Sequence, residues 1–515
     1  MDEILIDHKT LEKRFLEHIQ LQGNYRILFT APFGQGKTTF LNDVFDAVTE
    51  KYYAIKLFPV NYSVSANEDV FELIKFDILV QLIGKYKEQL KLKEEDFSFL
   101  LTSQVYITNR LDIMSWLQST IGLFGQIGKS AKDFLGTLNE TVGDFNKFQK
   151  EIQINEISEV TDYLKKIEGG PGSSYEMDSI SRLIFDLIQR LKSSQTENYN
   201  NEVVLIVDDL DRLDPEHIFR LFNIFSAHFD NPESLEQHNK FGFDKVIFVC
   251  DIENIRRIYR HRYGINVDFK GYLDKFFSYL PFEFDNREFI NKKVYEFITL
   301  MKVNSTTTSS DFFNHCKNPE NKNEFFYAFK WFLICLVNSK IMNLRTMVSL
   351  PPVEIPDRFY KYPSYTVNTT DYEILWIFYF LKSILGSWEL VSEKLLLLCE
   401  IYNVHKAHKA SSVESHNQSK DYNVIISFCL PFLFERDKGI RSFFERDDPK
   451  CLWSNILKCW IHFEPKTRAV SNGNLQFSFL FASESEEEDS NKLVLTPYDV
   501  LLKTYNECKK AGFLE

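Results

Sequence analysis

TAPFGQGKTT, residues 30–39, leaves a short β-prone run and ends in Gly-Lys-Thr. Tyr-Arg-Ile-Leu-Phe-Thr at 25–30 precedes it, and apolar Phe40, Leu41, Val44, Phe45 and Val48 follow at helical spacing. The pattern predicts a strand, a glycine loop and a helix in that order. Such a loop wraps a phosphate with successive backbone N–H groups, and the helix N-terminus behind it adds partial positive charge where the anion sits. Gly34 and Gly36 permit the curvature because they lack a Cβ. Pro32, Phe33, Gln35 and Thr39 complete the stretch expected around the phosphates. Lys37 is expected to reach the β- and γ-phosphates as a point charge, and the Thr38 hydroxyl to ligate Mg²⁺. Ala31 stands where G-x-x-x-x-G-K-[ST] has its first glycine. That position starts the turn without touching phosphate, so alanine is the mildest departure.

A magnesium site needs a carboxylate opposite the threonine. NEVVLIVDDLDRLDPEHIFRLF, residues 201–222, supplies one: the apolar run Val203–Val207 leads directly into Asp208-Asp209. A continuous apolar run fits a central parallel strand buried on both faces, and ligands gather at the carboxyl ends of such strands. Asp208 is the expected metal-site carboxylate, holding Mg²⁺ through water, and Asp209 the group that polarises an attacking water. The alternative is a strand ending in a solvated acidic turn. It suits Asp211 and Asp214 better, since Asp214-Pro215-Glu216 also reads as an N-cap with proline at N1. A third strand, KVIFVCDIENI at 245–255, ends in Asp251 and Asn254. In P-loop proteins with an additional strand, a polar residue at this tip senses the γ-phosphate. Asp251 is the candidate, with helix capping as the competing role.

With 515 residues the chain exceeds one compact core, and roughly 100–200 residues per domain implies several units. Its 44% hydrophobic content, with 48 Phe, supplies ample core, so order is expected over most of the chain. A net charge of −13 argues against sequence-independent attraction to nucleic acid or anionic lipid. The eight cysteines include no Cys-x-x-Cys pair, and Asp2 and Glu3 near the start give no secretory pattern, so reduced thiols and a cytoplasmic location are expected.

The strings APFGQGKTTFL, VVLIVDDLDRLDPE, KVIFVCDIENI and GYLDKFFSYLPFEF resemble, in order and form, the KAP family of P-loop NTPases. SKIMNLRTMV at 339–348 resembles that family more weakly. The resemblance implies an ATP-hydrolysing α/β domain with a parallel sheet of the additional-strand (ASCE) type, a large and mostly helical insert, and a helical C-terminal region. It also implies that Arg345 acts as a second sensor touching the nucleotide or a neighbouring γ-phosphate, with Arg212 and Arg260 as weaker candidates. The implied cofactors are ATP and Mg²⁺. The implied role is a nucleotide-driven switch or oligomerising regulator, a homo-oligomer in that case, with some bacterial members associated with defence against phage. Two other classes stand beside it. One is an ATP-holding scaffold with little turnover that offers its C-terminal half to a protein partner. The other is a nucleic-acid-stimulated motor, which the acidic balance disfavours.

The expected organisation is a core split between 1–90 and 176–285, a helical insert at 91–175, a helical lid at 286–350 and a mostly helical region at 351–515. Residues 60–86 are expected to complete a second strand and its helix. The most apolar part of the insert, LDIMSWLQSTIGLFGQIG, falls short of the roughly 20 apolar residues that span a bilayer, so no transmembrane segment is expected. Gly122, Gly125 and Gly128 read as turn punctuation and GGPGSS at 169–174 as a loop. FKWFLICLVN (329–338) and DYEILWIFYFLKSILGSW (371–388) read as buried helices, followed and separated by proline-rich connectors such as SLPPVEIPDRFYKYP (349–363). ASESEEEDSN (482–491) reads as a solvated loop. His405, His408, His416 and Cys399 match no zinc spacing. In IRRIYRHRY (255–263), Arg256 and Arg260 share a helical face, most simply a solvated one.

Overall fold

The structure, a computed structural model, describes residues 8–59, 70–90, 179–193, 201–226, 239, 241–304, 324–356, 358–361, 366–369, 372–408, 416–434, 451–465, 477–487 and 492–515. The expected insert, its glycines and the GGPGSS loop lie outside these residues, as do the side chains of His405, His408 and His416. The chain forms two compact units, His8–Asp285 and Asn286–Glu515.

The first unit is built on a parallel sheet of β1 (Arg26–Thr30), β2 (Tyr52–Leu57), β3 (Glu202–Val207), β4 (Lys245–Cys250) and β5 (Phe282–Glu283), in the order β2-β3-β4-β1-β5. Strand β4 therefore lies between the strand that feeds the glycine loop and the strand that ends in Asp208. This is the additional-strand arrangement. The registers Thr30↔Cys250, Val207↔Phe248 and Leu57↔Val207 bring the carboxyl ends of neighbouring strands together. Strand β2 occupies Tyr52–Leu57, ahead of the 60–86 stretch in which it was expected to be completed; β-branched and aromatic residues in YYAIKL account for its place.

Helices cover both faces. They are α1 (Lys9–Ile19), α2 (Lys37–Ala47), α3 (Val70–Leu90), α4 (Ser179–Ser193), α5 (Pro215–Ser226), α6 (Ile252–Tyr263) and the short α7 (Phe269–Leu273). The period-2 alternation of the strands sorts the core. Val203, Leu205 and Val207 join Ile55, Leu57, Val246 and Phe248 in one layer, under Ile78 and Leu82 of α3, Ile184 and Leu187 of α4 and Phe222 of α5. On the other side Phe29 stacks on Phe40 and Phe282 and meets Phe15 edge-on. Each buried aliphatic or aromatic side chain contributes about 1.5–3 kcal/mol through lost water contact, which fixes α2 and its preceding loop against β1. At the start of α5, Asp214 accepts from the Glu216 N–H at 3.0 Å, the expected cap.

In the second unit α8 (Arg287–Leu300), α9 (Glu324–Asn338), the short α10 (Leu344–Val348), α11 (Glu373–Leu385), α12 (Trp388–His408), α13 (His416–Leu433) and α14 (Pro497–Lys510) share a large apolar core. Short pairs link β6 (Val303–Asn304) with β7 (Val353–Glu354), and β8 (Phe359–Lys361) with β9 (Thr366–Asn368). Ile374 to Leu381 of α11 are all buried, so this strongly apolar segment is a core helix. Among the described residues no single helix is long and apolar enough to cross a membrane. The unit also contains an antiparallel sheet, β10 (Cys451–Ser454), β11 (Cys459–Pro465), β12 (Phe477–Ser483) and β13 (Lys492–Leu493), in that order. The mostly helical expectation for 351–515 did not include it. Alternation is its main cause: Cys459, Ile461 and Phe463 are buried while Trp460 is only partly so and Glu464 is exposed, with buried His462 marking a register shift in the pairing with β12. The start of the acidic run, Ser483 to Glu487, ends β12 and enters a bend.

Candidate phosphate and metal site

Strand β1 ends at Thr30 and the chain turns through Ala31–Gly36 into α2. Gly34 and Gly36 adopt φ of 79° and 85°, a region costly for residues with a Cβ. These are the positive-φ positions of the loop, so Ala31 needs no glycine there. Its N–H donates to the Cys250 carbonyl at 3.2 Å and its carbonyl accepts from Lys37 Nζ at 2.9 Å. The turn is thus tied to β4, and the buried lysine curls back over the loop. The first helical bond of α2 runs from the Phe40 N–H to the Gly36 carbonyl, 3.0 Å. The N–H groups of Lys37, Thr38 and Thr39 precede it and have no acceptor within the helix, and no side chain caps the end. A helix start of this kind, led in by two left-handed glycines, is an anion cradle. Pro32 is partly exposed, Phe33 and Thr39 are exposed, and Gln35 is buried within the turn.

Opposite the cradle, the Thr38 hydroxyl donates to Asp208 Oδ2 at 2.6 Å. Asp208 Oδ1 accepts from the Asp209 N–H at 2.7 Å, and the Asp208 N–H donates to the Leu57 carbonyl at 3.0 Å. Only 3% of Asp208 is exposed. Burial pushes its carboxyl up to about 6; the Thr38 hydroxyl, the Asp209 N–H and the Lys37 charge oppose that shift, and the Asp209 charge adds to it. Asp209 takes φ of 53° and starts a 3₁₀ turn, Leu210–Arg212, anchored by buried Leu210. Its Oδ2 lies 3.1 Å from Arg212 Nη1, and the Arg212 guanidinium sits 4.6 Å above the centre of the Phe33 ring.

A preassembled cluster of three or more His, Cys, Asp or Glu ligands does not occur among the described residues. A magnesium ion does not require one: it keeps several waters and binds through one or two protein oxygens plus phosphate oxygens. The Thr38 hydroxyl and the buried Asp208 carboxylate fit that donor set.

Residues 13–351 match the KAP family P-loop domain. The chain belongs to the KAP family of P-loop NTPases. No curated protein gives a significant match to it. The KAP match extends to Pro351, so Arg345 falls within the matched region.

Asp251 follows β4, and its carboxylate accepts from the N–H groups of Glu253 and Asn254 at 3.0 and 3.4 Å. It caps α6, and the Asn254 amide reaches the Asp211 carbonyl at 3.4 Å. Sensing and capping were the two roles open to Asp251, and capping is the one its contacts display. Arg256 pairs with Glu253 at 3.1 Å and Arg262 with Glu216 at 2.5 Å, the local charge balance expected of that helix. Arg345 is exposed on α10, in the second unit; Asn343 caps that helix through the Thr346 N–H at 2.9 Å. The first unit thus assembles Lys37, Thr38, Asp208 and Asp209 by itself. Lys56, buried in β2 with its amine on Asn42 of α2, escaped the sequence reading. A lone cation inside the apolar strand YYAIKL was its signal.

Proposed function

We propose that this KAP domain binds ATP with Mg²⁺ and hydrolyses it. The observation that carries the reading is the 2.6 Å bond from Thr38 to Asp208, which sets a buried carboxylate against a threonine at the helix start that follows the glycine loop. Thr38 and Asp208 would hold the metal, which when bound neutralises charge on the phosphates. Lys37 binds the β- and γ-phosphates, its amine exchanging the Ala31 carbonyl for phosphate oxygens. Asp209 orients and polarises the attacking water. In phosphoryl transfer the protein contributes mainly positioning and electrostatic stabilisation, and these four side chains supply both. Asp251 at the tip of β4 and Arg345 on the lid are proposed to read the γ-phosphate, with the core formed from 1–90 and 176–285 and the lid from 286–350.

The test compares phosphate release and nucleotide binding in wild type and Asp209→Asn. Release should fall by about 100-fold or more while ATP binding is kept. Equal release by both proteins would reject the catalytic role; equal and negligible release with cellular function intact would favour the ATP-holding scaffold. A switch rather than a nucleic-acid motor suits the net charge of −13. Stimulation of phosphate release by added DNA or RNA would reverse that choice. Light scattering with and without nucleotide tests oligomerisation, and phage plating on cells carrying wild type or Asp209→Asn tests a defence role.

A further inference from the structure

Arg212 touches both halves of the site. It closes the 3₁₀ turn that Asp209 opens, its N–H returns to the Asp209 carbonyl at 3.1 Å, and its Nη1 holds Asp209 Oδ2 at the same distance. The guanidinium carbon also sits 4.6 Å from the centre of the ring of Phe33, a loop residue outside the G-K-T signature that is 43% exposed. The Phe33 ring thus supplies an apolar, electron-rich face against which the arginine rests. The turn is otherwise firm: Leu210 is fully buried, and the Asn254 amide approaches Asp211 from α6. Asp209 itself sits at φ of 53°, uncommon for a non-glycine residue, so its carboxylate direction is set by this turn and by Arg212 together.

We propose that Arg212 is a positioning residue for hydrolysis: it clamps one oxygen of Asp209, leaving Oδ1 to orient the attacking water, and Phe33 fixes Arg212 in that place. The inference rests on the hydrolytic reading and deepens it. Arginine suits the task where lysine does not, because its planar fork binds a carboxylate and stacks on a ring at once. A half-exposed, local ion pair of this kind adds little stability, so its effect is expected in turnover rather than in folding.

The experiment measures steady-state phosphate release, Mg-ATP binding by calorimetry and melting temperature for wild type, Asp209→Asn, Arg212→Ala, Arg212→Lys, Phe33→Leu and the Phe33→Leu/Arg212→Ala double variant. Arg212→Ala should lower kcat on the order of 10- to 100-fold with KM and ATP affinity within about threefold. Arg212→Lys should recover part of that loss. Phe33→Leu should lower kcat by about three- to tenfold, and the double variant should be no slower than Arg212→Ala, since Phe33 acts only through the arginine. An unchanged or raised kcat in Arg212→Ala, additive losses in the double variant, or a fall in ATP affinity matching the fall in rate would each overturn the proposal. If Arg212→Ala does not fold, Arg212→Lys and Phe33→Leu carry the same test. A wild type that releases no phosphate refutes the hydrolytic reading and this inference with it, whereas a turning-over wild type with an indifferent Arg212 refutes the inference alone.

Discussion

Replacing Lys56 with methionine should make the protein more stable at neutral pH, and the gain should vanish as pH rises. Lys56 lies on β2, the edge of the parallel sheet, and is 5% exposed. Its amine donates to Asn42 Oδ1. Burial is the largest influence on it and pushes the ammonium down to about 8; Lys85 adds to the shift, while Asp46, Asp208 and Asp43 oppose it. An unfolded lysine titrates near about 10.4, so between about pH 8 and about pH 10 the unfolded chain carries a proton that the folded chain has released. Stability therefore rises with pH across that window. At about 1.4 kcal/mol per unit, the buried charge costs about 3 kcal/mol near pH 7 and about 1 kcal/mol near pH 10. Methionine keeps the length of the chain and removes the charge, while losing a hydrogen bond contributing about 1 kcal/mol. The expected balance is a gain of about 2 kcal/mol near pH 7 and close to none near pH 10. Paired guanidinium unfolding curves of the two intact proteins at each pH read this difference. A Lys56→Met effect of the same size at both values would show that Lys56 is charged alike in the folded and unfolded chains, and the reasoning would fail.

Two further substitutions probe the rim of the cradle. Gly36→Ala places a Cβ at φ of 85°, so it should cost about 1–2 kcal/mol in thermal or chemical unfolding and weaken ATP binding; unchanged affinity would mean that the left-handed turn is not needed for phosphate. Asp251→Ala should cost about 1 kcal/mol through the lost cap, whereas Asp251→Asn keeps the cap and removes the charge. If Asp251→Asn is as stable and as fast as wild type, capping is the whole of its role; a slowed Asp251→Asn with normal stability would assign it to γ-phosphate sensing.

Elements defined by local sequence are legible in the sequence alone. The glycine loop, the run Val203–Val207 into Asp208-Asp209 and the strand ending at Cys250 each combine a buried apolar run with a chemically marked end, and each lies where the sequence places it. The order of these strands in the sheet is not a local property. It followed from the resemblance to an additional-strand fold, and the pairing of β4 with both β1 and β3 bears it out. The antiparallel sheet of the second unit went unread because strands of two to seven residues between aromatic-rich helices compete poorly with a helical period.

The candidate site divides along the same line. Lys37, Thr38, Asp208 and Asp209 follow from motif chemistry, since each occupies a position at which the proposed function calls for a phosphate, metal or water contact. What surrounds them depends on contacts between distant parts of the chain, and here single residues decide. Lys56 is recognisable only as a misplaced cation until β2 is seen beside α2. Its backbone carries a further such case: the Gln81 side chain of α3 accepts from the Lys56 N–H at 2.9 Å and donates to its carbonyl at 2.5 Å. An amide here completes the unpaired edge of the sheet as another strand would, while its own NH₂ also reaches Asp77 at 2.8 Å. Helical periodicity cannot announce that arrangement, because Gln81 reads as a polar break in an apolar stripe. The same holds for Phe33, which is an ordinary variable loop residue in sequence and the support of Arg212 in space. The groups proposed to react are thus written in the motifs, and the contacts around them are written in pairs of residues far apart in the chain.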